Sequence, residues 1–79
     1  MSRSERGRPL ASLQPGATGR VLRVTRENRD RADRLAALGV TPGTPITVLQ
    51  RFPSVVFLCD QTELAVEPAV AASVLVETD

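Results

Sequence analysis

A mainly β fold, five short strands curled into a small barrel with one short inserted α-helix, is predicted by three observations. The 79-residue chain has room for a single domain. Two Pro-Gly pairs, Pro15-Gly16 and Pro42-Gly43, each lead into an alternating run rich in β-branched residues. Between those runs, one stretch alone changes to a helical period.

Taken in order, residues 1–8 carry Ser2, Ser4, Gly7 and four charges with no apolar period, the composition of a flexible tail, and the barrel domain is expected over residues 9–79. Leu10 and Leu13 are spaced for one face of a short turn. In the type II turn that follows, Pro15 fixes φ and Gly16 supplies φ > 0. The first strand is expected over 19–25. From 30 to 38, Ala32, Leu35, Ala36 and Leu38 form one helical face, with Asn28 or Asp30 to cap its start and Gly39 to stop it in the left-handed region. The turn at Pro42-Gly43 opens a second strand over 46–51. In both strands the Pro-Gly pair is followed, four residues on, by Val-Leu: Val21-Leu22 and Val48-Leu49. This reads as a reused turn-to-strand device more than as a duplicated repeat.

After Phe52-Pro53-Ser54, strands over 55–59 and 62–66 flank the tight Asp60-Gln61 turn, with Phe57 as the main aromatic core residue. Pro68 starts one helical turn to Ala72, and residues 74–76 close the set. Five strands with short connections protect their edges best by curling up, and an SH3-like barrel is the economical answer.

Composition narrows the function. Hydrophobic residues make up 42% of the chain and aromatics 3%, so the core is aliphatic. Ten basic residues, all Arg, face nine acidic ones; a net charge of +1 provides no funnel for nucleic acid, and the scarcity of aromatics provides no stacking platform. Cys59 is the only cysteine, so no internal disulfide forms. With no apolar run near the roughly 20 residues that span a bilayer, and charge where a signal peptide needs an apolar block, a cytoplasmic location is expected.

The run Leu10-Ala11-Ser12-Leu13-Gln14-Pro15-Gly16, then Gly19-Arg20-Val21, then Arg34-Leu35-Ala36-Ala37-Leu38-Gly39-Val40-Thr41-Pro42-Gly43-Thr44 with Ile46 and Val48, resembles the FeoA family pattern. The resemblance covers nearly everything from Leu10 to Glu77. It implies an SH3-like barrel with a helix inserted after the first strand, in a cytoplasmic accessory protein of ferrous iron transport that acts on a membrane transporter carrying a GTP-binding domain. On that view the membrane is reached only through the transporter. Metal-dependent repressors of the iron and manganese type carry a similar barrel at their C-terminus, so a partner or sensing domain for such a repressor is the alternative. One departure is the short Phe52-Pro53-Ser54 link, where many relatives carry a longer polar stretch with Gly.

No catalytic constellation is legible: the chain lacks His and Tyr, and Cys59 lies in an apolar strand without a base, as a buried structural thiol would. No P-loop follows the glycines, so GTP belongs to the partner. No cofactor is expected. Asp30 with Asp33, and Asp60 with Glu63, offer oxygen ligands for a weak divalent ion at most; solvated carboxylates are the expected reading, because ferrous iron usually recruits imidazole or thiolate as well. For a protein partner, the candidate docking edge is Arg31, Arg34, Leu38, Gly39, Val40 and Thr41, with Arg34 orienting an acidic patch. Pro15, Gly16, Gly39, Pro42 and Gly43 are assigned to turns. Weak self-association is left open by any exposed strand edge.

Overall fold

In the computed structural model, which describes residues 7–79, every alternating segment pairs into one antiparallel sheet. The strands are β1 (Arg8–Pro9), β2 (Thr18–Val24), β3 (Pro45–Gln50), β4 (Val55–Cys59), β5 (Thr62–Val66) and β6 (Val74–Thr78), in the order β1-β6-β2-β3-β4-β5 across the sheet. Helix α1 (Arg29–Ala37) follows β2, and the single turn α2 (Pro68–Ala71) precedes β6. Among the described residues there are six strands against the five expected. The additional one, β1, sets Arg8 opposite Val76 and Pro9 opposite Leu75. Two residues carry no period to read, and this pairing puts Arg8 in the sheet where a tail was expected; residues 1–6 of that tail lie outside the described residues.

Both Pro-Gly pairs form type II turns. The amide of Ala17 donates to Gln14 O at 3.0 Å and that of Thr44 to Thr41 O at 3.1 Å, with Gly16 at φ 95 and Gly43 at φ 91. Each turn then clamps the other turn's strand. Gly43 N–H donates to Val21 O at 2.7 Å and Val21 N–H to Thr44 O at 2.9 Å; reciprocally, Gly16 N–H donates to Val48 O at 2.7 Å and Val48 N–H to Ala17 O at 2.9 Å. A local two-fold axis therefore passes through the Gly19–Ile46 pair of β2 and β3. It extends outward, since β6 flanks β2 as β4 flanks β3, and β1 and β5 take the two edges. The reused Val-Leu is the point of bending: the register skips one residue between Val21 and Arg23 against β6, and between Val48 and Gln50 against β4. Such bulges increase strand twist, and two at matched positions roll the sheet around its core.

That core is aliphatic apart from Cys59 and Phe57, the latter fully buried among residues that include Leu10, Leu35, Ile46, Val48, Val55, Val74 and Val76. Helix α1 begins at Asn28, whose side-chain oxygen accepts from Arg31 N–H at 3.0 Å. It ends in a Schellman motif: Val40 N–H donates to Leu35 O at 2.9 Å and Gly39 N–H to Ala36 O at 3.0 Å, with Gly39 at φ 96. The apolar contact that accompanies this motif is supplied by Leu35 and Val40, both buried.

Gly43 isolates backbone strain from crowding, because a Cβ built there meets nothing within 4 Å. We expect Gly43→Val to cost about 1–2 kcal/mol through its positive φ alone. Thermal unfolding at the wild-type midpoint would refute the assignment of this turn's role.

Candidate functional site

Helix α1 lies beside the corner where β5 passes into α2, and the two enclose a groove of about 510 Å³. Its floor is apolar, made by buried Leu35 with half-buried Val66 and Val70. On the helix, Asp30, Arg34 and Leu38 are spaced four apart and so lie along one face. Leu38 is 50% exposed, one of three large apolar side chains left in solvent among the described residues. The Arg34 guanidinium has no hydrogen bond or ion pair among the described residues, whereas Arg31 is partly committed, its Nη1 donating to Ala69 O at 3.5 Å across the groove. Glu67 stands on the opposite wall. The result is an aliphatic trough with a free guanidinium beside an exposed leucine, suited to an apolar anchor carrying a neighbouring carboxylate.

Of the six residues of the expected docking edge, Arg31, Arg34 and Leu38 line this groove. Gly39 and Thr41 are exposed in the connection to β3, where the Gly39 carbonyl accepts from Thr44 Oγ1 at 3.3 Å and Thr41 Oγ1 lies 3.1 Å from Thr44 Oγ1. Val40 is in the core, 1% exposed, and offers a partner no surface. The second wall, Val66, Glu67 and Val70, was not read from the sequence. Its only signal is Pro68 at the first position of α2, which fixes where the chain turns but not what it turns against.

Cys59 is buried at the end of β4, and its thiol lies 3.4 Å from the Gly39 carbonyl, tying the end of α1 to the sheet. Burial, and secondarily the charge of Asp60, raise its pKa and keep the thiol neutral. Asp30, Asp33, Asp60 and Glu63 are exposed. Among the described residues no three His, Cys, Asp or Glu side chains converge on a point that would hold a metal, and no helix is long and apolar enough to cross a membrane.

Solved structures with the same fold include an iron uptake regulatory protein of the FeoA type, 25% identical, with a TM-score of 0.82 over 92% of this chain and 99% of that one. IdeR of T. acidophilum is 27% identical, with a TM-score of 0.84 over 92% of this chain, which spans 34% of the length of IdeR. The Stenotrophomonas maltophilia FeoA, solved with zinc and described as a prokaryotic SH3 domain protein, matches at 22% identity and a TM-score of 0.77 over 89% of this chain and 93% of that one. A sequence search of curated proteins finds no match. A family model of the FeoA domain matches residues 8–78, the whole of the sheet and both helices, and this chain therefore belongs to the FeoA family, as an SH3-like protein related to ferrous iron transport.

Proposed function

We propose that this protein is a non-catalytic cytoplasmic accessory of ferrous iron transport, docking through the α1 groove onto the cytosolic GTP-binding part of a membrane transporter. The observation that carries this reading is the groove itself. In a FeoA domain spanning residues 8–78, Arg34 and Leu38 stand together at its rim, the guanidinium without a partner among the described residues and half of the leucine in solvent. Burying a half-exposed leucine and pairing a free arginine are the two gains a small docking surface can make. The name given to the Stenotrophomonas maltophilia protein, a proposed ferrous iron transport activating factor, lends support from a relative.

An amide NMR titration with the cytosolic domain of the source organism's own ferrous transporter tests this. Shifts are expected at Arg31, Arg34, Leu38, Gly39 and Thr41, and are expected to disappear with Arg34→Glu. A spectrum unchanged at near-millimolar partner would overturn the reading. Attention would then move to a metal-dependent repressor as the partner, a role favoured by the 27% identity to the IdeR barrel.

A further inference from the structure

The outward face of β3, β4 and β5 carries a cluster of apolar side chains where a solvated antiparallel sheet would carry polar ones. In β4, Val55, Phe57 and Cys59 are buried, so Val56 and Leu58 point the other way, and neither belongs to the core cluster. The register sets Thr47 and Glu63 beside Leu58, and Ala65 beside Val56. The bulged Leu49 is 43% exposed. At the turn into β4 stands Phe52, 72% exposed, with the Arg51 guanidinium 5.4 Å from its ring centre.

The local two-fold axis supplies an internal comparison. By that axis Thr47 and Leu58 correspond to Arg20 and Glu77, cross-strand neighbours of opposite charge. Leu49 and Val56 correspond to Leu22 and Leu75, over which the backbone at Gly7 runs so closely that a Cβ there would lie 2.8 Å from Leu22 Cδ2. One half of the sheet is thus closed by a charged pair and by its own chain. The other half, built on the same plan, carries Leu58 in place of a charge and, among the described residues, leaves Leu49 exposed and Val56 and Leu58 half-buried, so the barrel's geometry does not itself demand an apolar outer face.

The charges at its ends indicate the occupant. Arg51 precedes β4, whereas Asp60 and Glu63 lie at its far end. A face that is positive at one end, negative at the other and apolar between is complementary to itself once a second copy is laid on it with strands antiparallel, which is the arrangement of an isologous two-fold contact. We propose that Leu49, Val56, Leu58 and Ala65 form the centre of a homodimer interface, two copies packing sheet on sheet with Arg51 of each meeting the Glu63 end of the other. None of these residues lines the α1 groove, so a dimer leaves that groove open and the proposal goes beyond the docking reading.

Sedimentation velocity on the full chain tests it. With only four apolar side chains at its centre, a reversible dimer with a Kd of about 10–100 μM is expected. Leu58→Glu should weaken it at least about tenfold, since each copy would bury an unpaired carboxylate. Arg51→Glu and Glu63→Arg should each weaken it, and the two together should restore it; these positions, one half-buried and one exposed, carry the test should Leu58→Glu fail to fold, as judged by circular dichroism. Arg34→Glu, in the groove, should leave the dimer unchanged. A chain that stays monomeric to near-millimolar concentration overturns the proposal, whatever partner the face then proves to bind. So does a dimer indifferent to Leu58→Glu, or one that the paired charge reversal fails to restore.

Discussion

Replacing Gly19 with alanine is expected to cost about 3–5 kcal/mol, a large share of the about 4–12 kcal/mol typical of a domain this size. Gly19 is buried on the local two-fold axis, paired with Ile46 on one side and Thr78 on the other. A single added methyl would sit inside the contact distance of the Glu77 carbonyl oxygen, 2.9 Å from Thr78 Cα and 2.9 Å from Val76 Cγ1. Two of those neighbours are backbone and cannot rotate away, so β6 would have to separate from β2 to admit it. Urea unfolding monitored by circular dichroism should show a midpoint far below wild type or no cooperative transition at all. A transition within a few degrees of wild type on heating would show that β6 yields more easily than its pairing suggests.

The second large effect is expected at Phe57. It is fully exposed to neighbours and not at all to solvent, the largest of the fully buried side chains, and it sits between Val48 on β3 and Leu64 on β5. In an otherwise aliphatic core no flexible aromatic stands nearby to fill the space. Phe57→Ala is therefore expected to cost about 3–5 kcal/mol, through lost transfer energy and the cavity left behind. The chain contains its own comparison in Phe52, 72% exposed, where the same truncation should change monomer stability by no more than about 0.5 kcal/mol. Equal losses at the two positions, measured by denaturant titration, would contradict the placement of the core.

What could be read from the sequence was local. The β4 and β5 limits, an N-cap at Asn28 or Asp30, of which the fold uses Asn28, the Gly39 stop and both Pro-Gly turns follow from residues within a few positions of each other. The recurrence of Val-Leu after each turn was also visible, but not its meaning. Only the paired register reveals Leu22 and Leu49 as matched bulges, because a bulge is defined by the strand opposite. Strand β1 was missed for the same reason, since two residues acquire strand geometry solely from β6. At the candidate site, Arg31 and Arg34 were legible as neighbours from a spacing of three, whereas the apolar period sets Leu38 with Ala32, Leu35 and Ala36; the structure buries Ala32 and Leu35 and leaves Ala36 and Leu38 exposed. Val66, Glu67 and Val70 were not legible, as they lie about thirty residues further on. Val40 is the opposite case: its place among exposed neighbours in the sequence reads as surface, yet the Schellman motif turns it inward to close the helix end against Leu35.

The reciprocal clamps between the two Pro-Gly turns also bear on how the molecule opens. Val21 draws both backbone partners from the second turn and Val48 draws both from the first, so neither turn-and-strand half has a complete set of its own. A fluctuation that frees one half strips the other of its clamp. The two therefore open as a single cooperative unit with no half-open state between them, and the slowest-exchanging amides should include Val21 and Val48, on opposite sides of the axis and at nearly the same rate.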